Sequence, residues 1–320
     1  MIRSFQRAWE RFWFASLPLG DLAVLRIVWA GALLAYFVFS DLTDSIAGWE
    51  GTHADGFETI PLLRLLALPL GGAGTLTRGK LEIALVATQV AGTLAVLGLR
   101  TRWSLLAFAA GSLLLQSWFY STHPLTHHVA LLQWSILLLA FSPCGEVLSL
   151  DAWLARRSQR APGRRPGDLA SGSAWPARAV HVLLALAYLS AAATKVLRGP
   201  EEWFGGWTLH YYVSFQVIRT GSEAGSWLSE RHGWIVAIAW IVIAFEVGFA
   251  LSIFQRRARW IWAVACALVH AGAAVFMGVV FPSFPVLCAC LIPWTGAATR
   301  IARFSPSAVP VESGRRPDAG

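Results

Sequence analysis

Charge is what this sequence has least of. Only 14% of its 320 residues are Asp, Glu, Lys or Arg, against roughly 25% in a soluble domain, while 56% are hydrophobic, so water is not its main solvent. Motifs of soluble enzymes are missing too. There is no Walker-type glycine loop, no GxSxG elbow, no HExxH and no dinucleotide fingerprint, and Gly71, Gly72 and Gly74 read as a plain turn. The four cysteines (Cys144, Cys266, Cys288, Cys290) form no CxxC pair. Three of them lie in or beside apolar segments, where thiols pack as small hydrophobes, and Cys288 with Cys290 is a weak redox candidate. The basic start leads into an apolar run longer than a signal-peptide core, with no small-x-small cleavage site after it, so it is expected to stay attached. No internal repeat is visible.

What is present points to a bilayer. The 17 Trp and 18 Phe suit the headgroup region, where one edge of a ring is wet and the other apolar. A spanning helix needs about 20 mainly apolar residues, because each backbone polar group must be satisfied within the segment. Windows of that kind begin near Leu22, Leu81, Trp103, Leu125, Ala179, Gly233 and Trp260. An eighth, from Phe281 to Ala298, is interrupted by Pro282, Pro285 and Pro293 and is expected to be kinked, short or re-entrant. The predicted fold is therefore all-α, a polytopic membrane bundle of about eight transmembrane helices. Before it, Phe5, Trp9, Phe12 and Trp13 recur at helical spacing beside Arg3, Arg7 and Arg11, which predicts an amphipathic interfacial helix over residues 1–18. The transmembrane domain is expected over 19–300, with a cytoplasmic loop at 152–178 and a flexible cytoplasmic tail at 301–320, both rich in Arg, Pro, Gly or Ser.

The formal charge of +8 is distributed as a topology signal, not as a nucleic-acid surface, and no nucleic-acid partner is expected. With the N-terminus placed inside, 18 Lys and Arg fall on the inner side and six on the outer. Positive loops are retained in the cytoplasm, so the expected setting is a cell (inner) membrane, multi-pass, with both termini cytoplasmic and the lipid bilayer as the partner.

Ionisable residues within spans are costly and are functional candidates by default. Glu246 and His270 fall near the middles of the sixth and seventh spans, at depths that suit a contact between neighbouring helices, either as structural glue or as a proton relay. Arg26, one turn inside the first span, is expected to snorkel to the cytoplasmic surface. Lys195 has the reach to snorkel outward as well. Yet His181, Tyr188 and Lys195 are seven residues apart and share one helix face. A lysine beside a phenol in a partly dry cavity meets the condition for a base near neutral pH. His123, His127 and His128 cluster at the outer side, but they cannot all face one metal on a regular helix, so no metal is expected.

The segment AYLSAAATKVLRGPEEWFGGW carries Tyr188, Lys195, Trp203 and Gly206 in the order Y-x6-K, W-x2-G. It resembles the signature of the HTTM (horizontally transferred transmembrane domain) family, which includes the vitamin K-dependent gamma-glutamyl carboxylase. A second block, HHVALLQWSILLLAFSPCGEVLSLDAW, is similar to the family's NH-x-YL helix and W-S-[VL]-D-like turn, with His128 on its histidine, His127 in place of Asn, and Ser149 and Asp151 on the turn. A third places Glu246, His270, Gly278, Phe281 and Pro282 in the late helices. The resemblance covers residues 20 to 295. It implies that Lys195 is a base taking a proton from a reduced quinone (vitamin K-like), that His128 is a second catalytic residue, and that Tyr188, Glu246, His270, His127, Trp203 and Gly206 support them; Arg26 is a further supporting candidate from its place inside the first span. Gamma-glutamyl carboxylase-like chemistry on the outer side is then the expected activity. The alternative is a non-enzymatic membrane component such as a carrier, an immunity-type factor or a scaffold. The carrier version lacks the paired broken helices that a transporter's repeats show, and the propeptide binding that the carboxylase's lumenal portion serves is not expected of this sequence.

Overall fold

The computed structural model describes residues 2–51, 57–123, 127–158, 163–255 and 258–303. Its helices, in chain order, are α1 (Ile2–Trp13), α2 (Leu19–Phe39), α3 (Leu42–Ala47), α4 (Pro61–Leu66), α5 (Arg78–Leu97), α6 (Thr101–Tyr120), α7 (His127–Leu139), α8 (Leu150–Arg157), α9 (Trp175–Arg198), α10 (Pro200–Phe204), α11 (Trp207–Thr220), α12 (Glu223–Ser229), α13 (His232–Phe249), α14 (Arg259–Met277), α15 (Ser283–Leu287) and α16 (Thr295–Arg303). Among the described residues the only strands are Leu17–Pro18 and Leu169–Ala170, a two-residue antiparallel pairing.

Among the described residues, five helices are long and apolar enough to cross a membrane: α2, α5, α9, α13 continued through Ile253, and α14. The chain is thus a multi-pass, all-helical membrane protein. The other three windows differ from a plain span for physical reasons. Helix α6 has 20 residues but carries Ser104, Ser112, Gln116 and Ser117, which lower its hydropathy. Helix α7 is apolar but short, its apolar part running over Val129–Leu139. In the last window the helical pair Ser283–Leu291 and Thr295–Ala302 is bent by 93°, at the break holding Pro293, whose ring removes a backbone donor.

Helix α2 is the spine. It packs on α5, α7, α15 and α16 and buries Leu22, Leu25, Trp29, Leu33 and Phe37 completely or nearly so. Two polar contacts tie it to the end of the chain: Trp29 Nε1 donates to the Val286 carbonyl at 3.1 Å, and Asp21 Oδ1 accepts from the Trp294 backbone amide at 2.9 Å and the Thr295 hydroxyl at 2.7 Å. Large side chains such as Ile83, Val86, Val90, Trp240, Ile241, Val264 and Leu268 face outward, as lipid-facing positions do in a bilayer.

Arg26 corrects the snorkelling expectation. It is fully buried, and its guanidinium donates to the Cys144 carbonyl at 3.0 Å and to the Leu148 carbonyl. The connection between α7 and α8 brings these carbonyls to the side chain, so the charge is solvated by backbone oxygen without reaching water. The neighbouring turn has a structural task of its own. Asp151 accepts from the Arg100 and Thr101 amides and from the Thr101 hydroxyl, each at 2.8 Å, supplying the acceptor that the α6 N-terminus needs. Ser149 caps α8 through the Ala152 amide at 2.9 Å. Part of the Arg- and Pro-rich segment is also anchored, since the Leu19 and Gly20 amides donate to the Asp168 and Pro166 carbonyls.

Candidate functional site

Helix α9 presents polar groups at successive heptads, and each finds a partner on an element folded back beside it. His181 Nε2 lies 2.6 Å from Ser252 Oγ in the 3-10 turn Ala250–Ile253. The Tyr188 hydroxyl lies 2.9 Å from His270 Nε2 and 3.1 Å from Cys266 Sγ, both on α14. Lys195 Nζ donates to both carboxylate oxygens of Glu246 on α13, at 2.6 and 2.8 Å. Seven residues are nearly two turns, so the repeat keeps all three on one face, which meets α13, the 3-10 turn after it and side chains of α14.

Lys195–Glu246 is the least exposed ion pair among the described residues. The two side chains are only 14% and 10% exposed. Glu246 sits 14 residues into α13, about 20 Å from its start, whereas Lys195 is one turn from the end of α9. The ammonium is therefore held by a carboxylate and largely buried, which corrects the snorkelling alternative: a carboxylate within reach compensates the charge better than a long excursion to an interface. Trp203 of α10 closes the other side, its ring centroid 4.8 Å from Nζ, a cation–π distance.

Two sequence pairings are redistributed. No hydrogen bond or ion pair among the described residues joins Glu246 to His270; each pairs with a side chain of α9 instead. The phenol expected beside the lysine is turned toward His270 and Cys266. Around this dyad the walls are aromatic. The His270 ring stacks on Phe284 at 5.3 Å and meets Phe281 edge-on at 6.0 Å, and Tyr188 contacts Phe245, Phe249 and Phe284. Sequence reasoning missed Cys266, Ser252 and Phe284. Cys266 was findable, since it precedes His270 by four residues and so shares its face; Ser252 and Phe284 carried no signal before the fold was known.

Gly206 explains itself by geometry. It opens α11 with φ of +75°, and a Cβ there would sit 2.9 Å from Val236 Cγ2. The W-x2-G spacing thus lets Trp203 lie over Lys195 while the chain turns tightly against α13. His127 and His128 begin α7, but their side chains lie outside the described residues. His123 stacks on Phe119 at 4.1 Å and contacts Thr122 Oγ1 at 2.7 Å. Among the described residues, no group of three or more His, Cys, Asp or Glu is placed to hold a metal ion.

The family model for the HTTM domain matches residues 75–294. The chain belongs to the HTTM family. The match takes in α5 through the bent region after α14, and with it Tyr188, Lys195, Trp203, Gly206, Glu246 and His270 of the HTTM domain. No curated protein and no solved structure matches the chain.

Proposed function

We propose that this HTTM protein is a carboxylase-like membrane enzyme in which Lys195 is the base, crossing an inner membrane about eight times with both termini cytoplasmic. The observation that carries the reading is the Lys195–Glu246 ion pair, enclosed by Trp203 and set one layer from the Tyr188–His270 dyad. An ion pair inside a bilayer is expensive unless it serves a purpose. The excess of basic residues on one set of loops, 18 to six, supports an orientation in which the Lys195 end of α9 faces outside.

A reduced quinone fits the donor set: an amine, a phenol–imidazole dyad, and the flat rings of Phe245, Phe281 and Phe284. Such a group supplies a weakly acidic ring hydroxyl and, once ionised, reactivity toward oxygen. Lys195 can accept a proton only as the neutral amine, so Glu246 must first take the ammonium proton across their 2.6 Å contact. The proton that Lys195 then accepts would be held as an ammonium beside the protonated Glu246 carboxyl and the Trp203 ring, with the ionised ring oxygen as its counter-ion. His270 and Tyr188 hold the partner in register by hydrogen bonding, and the aromatic walls keep bulk water out. His128, on the family's histidine, is assigned to the same side as a second catalytic group, with His127 and Arg26 supporting.

A second reading has its own observation. His181–Ser252, Tyr188–His270 and Lys195–Glu246 stitch α9 to its neighbours at regular intervals, as polar glue between membrane helices would, and a non-enzymatic component needs nothing more. Mass spectrometry of the lipid extract of the purified protein separates the readings. The enzyme reading expects a stoichiometric quinone; an extract containing none counts against it.

A further inference from the structure

The α10–α11 segment that sets Trp203 over Lys195 is fastened at a place that neither the resemblance nor the proposed chemistry uses. His210, in the first turn of α11, and His232, the first residue of α13, turn their Nδ1 atoms toward each other at 3.0 Å. Trp207 stacks on the His232 ring at 4.1 Å and lies parallel to the His210 ring at 6.4 Å, so both imidazoles are held with their Nδ1 atoms converged. A neutral imidazole has one nitrogen carrying a proton and one lone pair. Two lone pairs at this distance repel unless a proton or a metal ion lies between them. We infer that His210 and His232 form a two-histidine site for a divalent transition-metal ion.

The spacing suits such an ion. Metal–nitrogen bonds of about 2.1 Å on nitrogens 3.0 Å apart enclose an angle of about 90°, the angle between neighbouring ligands of a tetragonal ion such as Cu2+ or Ni2+. A tetrahedral ion would need the nitrogens about 3.4 Å apart. The positive ends of α11 and α13 oppose added positive charge, which disfavours ions held by charge alone, such as Mg2+ or Ca2+, and leaves those that bond to nitrogen. The adjacent Arg231 is directed elsewhere: it donates to the Trp227 carbonyl at 2.6 Å and lies 4.4 Å over the Trp227 ring. Water fills the remaining positions. A bound ion would lock α11 to α13 and so hold Trp203, one short helix earlier, over the Lys195–Glu246 pair.

The test is a Ni2+ titration of the purified full-length protein in detergent micelles, followed by tryptophan emission, with Trp207→Phe assigning the signal. Wild type should show saturable quenching. In His210→Gln and His232→Gln the midpoint should rise by at least about tenfold, the loss that follows removal of even a supporting group at a metal site; in His123→Gln, an exposed histidine elsewhere, it should not move. Equal midpoints in wild type and both variants, or quenching that never saturates, overturns the site. A readout independent of variant folding is the electron paramagnetic resonance of stoichiometric Cu2+ on wild type. Coupling to two imidazole nitrogens supports the site, and a ligand set without them removes it, leaving only a proton between the rings.

Discussion

Replacing Lys195 with Met removes the charge while keeping the length of the stem, and leaves the Glu246 carboxylate, 10% exposed, without its cation. Removing one member of a buried ion pair costs about 3–5 kcal/mol, and the lost contact with Trp203 at 4.8 Å adds about 0.5–2 kcal/mol. Replacing both members by apolar residues avoids the uncompensated charge, so Lys195→Met with Glu246→Leu should recover to within about 1 kcal/mol of wild type or exceed it. Equilibrium unfolding in mixed micelles, with helicity as the signal, gives all four corners of the double-mutant cycle. A coupling of about 5 kcal/mol or more is expected. Single variants whose losses simply add, within about 0.5 kcal/mol, would show a pair already solvated and refute it. The same double variant separates the two functional readings, since structural glue survives its replacement by apolar packing and a base does not.

Other perturbations test neighbouring parts. Tyr188→Phe leaves His270 Nε2 and Cys266 Sγ without the hydroxyl they share, and should cost about 1–3 kcal/mol in the same unfolding assay. Gly206→Ala adds a left-handed backbone penalty of about 1–2 kcal/mol and a collision with Val236, whereas Gly221→Ala, with φ of +68° and open space around it, should suffer the backbone penalty alone; equal losses would mean that α11 is not held tightly on α13. Asp151→Ala removes three contacts at the start of α6 and should destabilise by about 1 kcal/mol, with no change in any quinone-dependent rate per folded molecule.

The helices were legible because apolar length is a one-dimensional property: windows opening near Leu22, Leu81, Ala179, Gly233 and Trp260 coincide with α2, α5, α9, α13 and α14. The three proline residues after Phe281 announced the break in the last window, though not its 93° bend. Helical periodicity also placed His181, Tyr188 and Lys195 on one face. Partners were not legible, because they depend on which helices lie side by side. Lys195 and Glu246 are 51 residues apart and Tyr188 and His270 are 82 apart, and nothing local says that α9 takes both. Arg26 shows the same limit in reverse: its depth suggested an easy path to water, and only the turn carrying the Cys144 and Leu148 carbonyls makes burial cheaper. Asp151, found through the resemblance, turns out to cap a helix, which accounts for its place in the turn without any role in chemistry.

The central claim, that Lys195 is a base acting on a reduced quinone, is tested most directly by oxygen uptake. Purified wild type and Lys195→Ala, matched for folded protein, are supplied with a reduced quinone in micelles and oxygen consumption is followed. The account predicts quinone-dependent uptake in wild type and a fall of roughly 10²–10⁴-fold in the variant, the range for loss of a positioned base. Equal rates in the two proteins, or no quinone-dependent uptake by wild type, would contradict it.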